Sequence, residues 1–365
     1  MNAKRILGVG VVAVVAALAA TGLWMSRGRD ALLIVRESRP EAVMGTRTHL
    51  LAVVEADRDE EADEALQAAE NELRNVELQM SRRIELSDVS KFNAAPAGQL
   101  VELAPQTVEV LRASRRLWEQ SDGAFDVTIR PLILLWMQAG QDGAPPTAER
   151  LAAARDESRW PDMELRDGGA VKRKATAAVD LGGIAKGYGI DRAAEALRRA
   201  GCLGGLVDVG GDIRCFGRRR DGGAWHVAVR NPFRPETDAP LTLLAISDGA
   251  VCTSGNYERF TEIAGKRYSH ILDPRTGLPA DAAPSVTVVA PTATLADGWA
   301  TALSVLGPEG LALLPRGAGV EAMIVAGTSD HYTIHATVGL RGLLVEPPAG
   351  VQWHGAPSRL PAGGR

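Results

Sequence analysis

The chain has 365 residues, 45% of them hydrophobic, a formal net charge of −4 and only 4% aromatic residues. Hydrophobic content of this order supports a globular protein with a proper core and excludes a disordered chain. A slightly acidic balance supplies no basic field for a phosphate backbone, so nucleic acid is excluded as a partner.

The first thirty residues stand apart. Lys4 and Arg5 precede an uncharged run from Ile6 to Met25, and Ser26-Arg27-Gly28-Arg29 closes it. A run of this length can cross the roughly 30 Å hydrocarbon core as a helix, and Ala17-Leu18-Ala19 also offers a small-residue cleavage site. Residues 1–30 are therefore expected to be a membrane anchor or a signal peptide. Either one exports the rest, to an extracytoplasmic space. Cys202, Cys215 and Cys252 occur singly, without metal-ligand spacing, and are read as small buried residues rather than a disulfide framework.

After a linker around Asp30 to Pro40, Met44-Gly45-Thr46 leads into a strand over Arg47 to Glu55. Asp57 to Met80 is an amphipathic helix, because Ala62, Leu66, Ala69, Leu73, Val76 and Met80 recur at helical spacing. Ser90-Lys91-Phe92-Asn93 follows, then a helix from Pro105 to Gln120 and the glycine-led turn Ser121-Asp122-Gly123-Ala124-Phe125-Asp126-Val127-Thr128. Residues 138–167 read as a polar excursion with one short helix.

Asp180 to Asp191 reads DLGGIAKGYGID, between a run of small and β-branched residues and a helical pattern, Arg192 to Ala200. Paired glycines there let the backbone approach a partner, and a following helix N-terminus suits an anion. It is no Walker loop, since Gly187 follows Lys186 where Ser or Thr would be required. A strand over Leu206 to Val209 ends in Gly210-Gly211-Asp212. Trp225 to Val229 and Leu241 to Ile246 alternate with period two, as strands do.

Farther on come Thr253-Ser254-Gly255-Asn256-Tyr257 and His270-Ile271-Leu272-Asp273-Pro274-Arg275-Thr276-Gly277. Ser285 to Val289 is a strand, and Thr292 to Leu306 a helix ended by Gly307. Asp297 and Thr301, four apart on that helix, share one face, and their oxygens can converge on one cation. Pro347 to Arg365 is expected to be a disordered tail.

The ordered series Met44-Gly45-Thr46, Gly123-x-Phe125-Asp126-x-Thr128, Asp180 to Gly187, Val209 to Asp212, Thr253-Ser254-Gly255-x-Tyr257, His270 to Gly277, and Ala296-Asp297 with Thr301 resembles the FAD:protein FMN transferases, the ApbE-like flavin transferases. The resemblance runs from about Met44 to Leu306. It implies a single α+β domain over 31–345, with mixed and antiparallel sheets and packed helices.

It also implies transfer of the FMN unit of FAD to a Ser or Thr hydroxyl of an acceptor flavoprotein, releasing AMP. Asp297, Thr301 and a carbonyl at about Gly183 would hold Mg²⁺. Met44, Ala124, Phe125, Asp126, Asp180 and Lys186 would line the FAD site. His270 would contact the reacting phosphate or manage the hydroxyl proton, and Lys186 would offset pyrophosphate charge. Relatives often carry an aromatic residue before Ser-x-x-Asn, where this chain has Met80-Ser81-Arg82-Arg83. The alternatives are a Mg²⁺-dependent FAD pyrophosphatase and a non-catalytic exported flavin-binding protein.

Overall fold

A computed structural model describes residues 32–234, 239–255 and 260–355. The expected N-terminal anchor or signal peptide, Tyr257, and the end of the tail lie outside the described residues. Among those described, no helix is long and apolar enough to cross a membrane.

The chain begins with β1 (Leu33–Ser38) and β2 (Thr48–Glu55), followed by the helices α1 (Asp59–Met80) and α2 (Asp88–Ala94). Next come β3 (Leu100–Glu102), α3 (Pro105–Gln120), α4 (Arg130–Asp142), α5 (Ala148–Glu157), β4 (Met163–Arg166), β5 (Gly169–Lys172) and α6 (Ala185–Arg199). The second half holds β6 (Gly204–Val209), β7 (Asp212–Gly217), β8 (Trp225–Val229), β9 (Thr242–Ile246), β10 (Gly249–Gly255), β11 (Phe260–Ile263) and β12 (Lys266–Ser269). It closes with β13 (Ser285–Ala290), α7 (Ala293–Leu306), β14 (Glu321–Gly327), β15 (Tyr332–Thr337) and β16 (Val351–His354).

Nine strands form one sheet in the order β1-β2-β6-β7-β10-β13-β14-β15-β16. Every neighbouring pair is antiparallel except β15 and β16, which run parallel. This is the α+β architecture expected.

Strand alternation divides the sheet's side chains between two cores. Ala250 and Cys252 of β10, Val286 and Val288 of β13, and Ala322 and Ile324 of β14 join the main core with α1, α6 and α7. Val251, Val289 and Met323 turn to the opposite face, where the β8–β9 ribbon covers them with Trp225, Val227, Leu244 and Ile246. All six residues of β13 are buried, as befits a central strand covered on both sides.

Four expectations need correction. Leu33–Ser38 is a strand and not a linker: it pairs along the edge of the sheet with β2, and its partial exposure gives its sequence no clear alternation. Val351–His354, expected to be disordered, is the opposite edge strand, with Trp353 under the Arg341 guanidinium at 4.4 Å. Surrounding Pro and Gly residues mask so short a strand.

The polar stretch 138–167 contains the end of α4, all of α5 and a strand. Together α4 and α5 bury Leu132, Leu135, Trp136 and Ala154 in a small core with Ile263 and Leu272. Finally, α6 starts at Ala185, seven residues before the helical pattern expected at Arg192, because Gly187 and Gly189 obscure an otherwise buried helical face. All three cysteines are free and buried, as read from their isolation.

Candidate active site

The site gathers where α6, α7 and β7 meet. α6 and α7 cross closely because α6 is smooth at Gly187. A Cβ there would lie 2.2 Å from the Ala293 carbonyl oxygen and 2.8 Å from Asp297 Cβ. The contact is made, since the Gly187 N–H donates to Asp297 Oδ2 at 2.9 Å. One turn farther along α7, Thr301 Oγ1 lies 3.4 Å from the Gly183 carbonyl oxygen. Asp297, Thr301 and Gly183, expected as a metal-binding set, are thus brought together.

β7 presents two charged residues to α6, at alternate positions on one face. Asp212 forms an ion pair with Lys186, and Arg214 Nη1 lies 2.6 Å from Asp191 Oδ1. Asp212 is 2% exposed and also accepts a hydrogen bond from the Thr253 N–H at 2.9 Å. Its position follows the turn at Gly210 and Gly211, which have φ of 67° and 93° and so adopt a conformation that favours glycine.

Asp191 reaches further than its ion pair. It accepts from the Ala293 N–H at 2.8 Å, the Thr294 N–H at 2.8 Å and the Thr294 hydroxyl at 2.6 Å. The last residue of the DLGGIAKGYGID stretch therefore anchors the first turn of the helix that carries Asp297 and Thr301.

Burial pushes the Asp297 carboxyl up to about 7; Asp212 adds to the shift, while Lys186 and the Gly187 N–H oppose it. For Lys186, burial works against the proton, but Asp212 and Asp297 outweigh it and hold the ammonium above its ordinary range. Lys186 is accordingly charged at neutral pH. Among the described residues no three His, Cys, Asp or Glu side chains form a metal cluster. The oxygens of Asp297, Thr301 and Gly183 instead make a sparse, hard donor set. That set suits Mg²⁺, which keeps waters and takes phosphate oxygens beside one or two carboxylates.

The remaining expected residues surround this centre. Val179 is held on both sides by the Asn93 amide, which donates to its carbonyl at 2.9 Å and accepts from its N–H at 2.7 Å. Lys172, 1% exposed, donates to the carbonyls of Asn93 and Ala175 at 2.7 and 2.9 Å. These bonds fix the segment that delivers Asp180.

Both Asp180 oxygens are engaged within the protein: Oδ1 accepts from the Gly182 N–H at 2.9 Å, and Oδ2 lies 2.7 Å from Arg82 Nε. Phe125 is buried at the Gly183 turn, with its ring edge 3.4 Å from where a Gly183 Cβ would stand.

Asp126 is turned inward. Its Oδ1 accepts from the Thr128 N–H at 2.8 Å and hydroxyl at 2.6 Å, and burial raises its carboxyl to about 6 against those bonds. Ala124 is also buried, in a small cluster with Ala280 and Val305. Met44 adopts a positive φ of 52°, donates its N–H to Glu77 at 2.9 Å and sets its sulfur against Gly189.

His270 is exposed, just after β12. The turn that follows it is closed by the Gly277 N–H to the Asp273 carbonyl at 2.7 Å, and Arg275 from this turn lies beside Gly123. Sequence reasoning assigned no role to Asp212, Asp191 or Asn93. The Gly-Gly-Asp and Ser-x-x-Asn patterns signalled two of them, but their partners lie 26 and 86 positions away along the chain.

The chain is similar to proteins of one known family. The model of the ApbE family matches residues 44–324. A FAD:protein FMN transferase from Vibrio cholerae is 33% identical over 276 residues, spanning 74% of this chain and 82% of the relative. Another from Treponema pallidum is 33% identical over 309 residues, with 80% and 85% covered. Among solved structures, the flavin transferase ApbE from Vibrio cholerae matches with a TM-score of 0.74 at 29% identity, covering 86% of this chain and 99% of that one. The apo form of Pseudomonas stutzeri flavinyl transferase ApbE matches with a TM-score of 0.74 at 32% identity, covering 86% and 98%.

Proposed function

This chain belongs to the ApbE family, and from that premise we propose that it transfers the FMN unit of FAD to a Ser or Thr hydroxyl of an acceptor flavoprotein, using Mg²⁺. The observation that carries the reading is the convergence of Lys186, Asp212, Asp297, Thr301 and the Gly183 carbonyl at one crossing of two helices. In the reaction the acceptor oxygen forms a bond to the FMN phosphorus. The bond from that phosphorus to the bridging oxygen breaks, and AMP leaves with the electron pair.

Such a step depends on in-line placement and charge neutralisation more than on covalent help. Lys186, kept protonated by Asp212, supplies positive charge beside the pyrophosphate. The turn at Gly182 and Gly183 lets the backbone approach closely, and the positive end of α6 begins just after it, at Ala185. Asp297, Thr301 and the Gly183 carbonyl would hold Mg²⁺, which neutralises phosphate charge when bound. His270 is assigned to the acceptor hydroxyl, whose proton an imidazole nitrogen can take.

Met44, Phe125 and Asp180 would shape the FAD site, with Ala124 and Asp126 supporting it from behind. The uncharged run from Ile6 to Met25 favours an extracytoplasmic, membrane-associated location.

The test mixes the purified full chain, FAD, Mg²⁺ and an acceptor flavoprotein domain. Flavin fluorescence that stays with the acceptor through denaturing electrophoresis is the expected result. Free FMN and AMP alone would instead identify a pyrophosphatase, and intact FAD a binding protein.

A further inference from the structure

Asp180 precedes the Gly-Gly turn in the chain as Lys186 follows it, and it belongs to a second charged cluster of unbalanced composition. Asp180 Oδ2 is shared by two guanidinium groups: Arg82 Nε lies at 2.7 Å, and Arg130 Nη1 at 3.9 Å. Two positive charges face one negative charge. The Arg130 contact is too long for a hydrogen bond, and Nη1 is a buried donor with no hydrogen-bond partner among the described residues. Burial and the neighbouring Arg82 charge both act against the Arg130 proton, and only Asp180 offsets them. Buried polar groups are nearly always paired, so an orphan guanidinium donor calls for an acceptor that the protein itself does not supply.

Location narrows the chemistry of that acceptor. Asp180 is tied to the Ser121–Thr128 turn by its N–H, which donates to the Val127 carbonyl at 2.8 Å, and it lies two residues before the Gly182–Gly183 turn. Arg130 opens α4, two residues after the same turn. The cluster is therefore fixed to both backbone segments that frame the nucleotide site. Arg82 forms its outer wall, with its side chain 31% exposed against 17% for Arg130. A planar guanidinium with several fixed N–H groups matches phosphate oxygens better than any other side chain.

We propose that Arg130 and Arg82 form a phosphate clamp that grips an oxygen of the dinucleotide's pyrophosphate, in addition to Lys186. The clamp accounts for two arginines where a single ion pair would have satisfied Asp180. It also gives this chain a charged contact in the stretch Met80-Ser81-Arg82-Arg83, which has no aromatic residue. The proposal rests on the reading of FAD as the substrate.

The experiment compares wild type with Arg130→Met, Arg130→Lys and Arg82→Met, all as full chains whose folding is checked by circular dichroism. AMP, FMN, adenosine and riboflavin are titrated as ligands by calorimetry, and the FAD KM and kcat are measured with the acceptor present. Arg130→Met should weaken either AMP or FMN at least tenfold, leave the matching phosphate-free nucleoside or riboflavin unchanged, and raise the FAD KM in parallel. Loss of AMP affinity assigns the clamp to the adenylate phosphate, and loss of FMN affinity to the flavin phosphate. Arg130→Lys should recover part of the loss.

Unchanged AMP and FMN affinities in both Arg130→Met and Arg82→Met would overturn the clamp, as would equal weakening of phosphorylated and phosphate-free ligands. Should Arg130→Met fail to fold, Arg82→Met decides alone. The ligand titrations need no turnover, so a wild type that transfers no flavin would sink the functional reading while leaving the clamp separately tested.

Discussion

Replacing Asp191 with Ala tests whether α6 sets the position of the metal-binding face of α7. The carboxylate accepts from two backbone N–H groups at the start of α7, from the Thr294 hydroxyl and from Arg214, whose side chain is only 11% exposed. Removing one partner of a buried ion pair costs about 3–5 kcal/mol because the other charge is left uncompensated. Losing a helix-capping acceptor adds about 1 kcal/mol.

The expected loss is therefore about 4–6 kcal/mol, measured from the urea midpoint with an unchanged denaturant slope. A second substitution, Arg214→Met, should recover part of it by removing a charge that Asp248, 3.9 Å away, offsets only in part. Function should change as well, since groups that orient metal ligands typically contribute about 10–100-fold to metal affinity. The Mg²⁺ concentration for half-maximal transfer should rise by at least that lower factor, measured where the variant is still folded. A stability loss below about 1 kcal/mol, or a full loss with an unaltered Mg²⁺ requirement, would refute the coupling.

Asp297→Ala should lower turnover by about two orders of magnitude or more, since it removes the one carboxylate of the proposed metal-binding set; a wild-type rate in the transfer assay would disprove the assignment. Asp126 gives a pH signature. Its folded carboxyl sits near 6 and its unfolded one near 3.8, so the folded state binds the proton more tightly. This contribution to stability is present below the unfolded value and is lost as pH rises from about 4 to 6, reaching about 3 kcal/mol. Asp126→Asn should flatten that part of the stability profile, and parallel curves for variant and wild type would contradict it. Gly187→Ala places a methyl group on the Ala293 carbonyl and should destabilise the protein by about 1–3 kcal/mol or more, with reduced transfer. A neutral effect on both would mean that the helices need not cross so closely.

Much of this molecule was legible in the amino-acid order. The helix over Asp59–Met80 announced itself through its apolar spacing, Pro105–Gln120 was bounded correctly, and the alternation of Trp225–Val229 marked a strand covered on one face. Thr292 and Gly307 bracket α7 as the capping chemistry requires, with the Thr292 hydroxyl accepting from the Leu295 N–H. Such signals are local, arising within a turn or two of helix or a few residues of strand.

The edge strands β1 and β16 were missed because a half-exposed edge needs no strong pattern. The start of α6 was missed for a different reason. Glycine weakens helical propensity by about 1 kcal/mol per residue, but here it permits the approach of α7.

The sequence alone determined the family resemblance, the α+β class and which oxygens and charges could take part, because motif chemistry depends on residue type and short spacing. Tertiary structure decided which of them act together. It paired Lys186 with Asp212, set Asp191 beneath the helix of Asp297 and Thr301, turned Asp126 inward and placed two arginines on Asp180. Apart from Asp126, which bonds Thr128 two positions on, these outcomes depend on tertiary contacts that bring together residues from 23 to more than 100 positions apart. No local pattern encodes such distances.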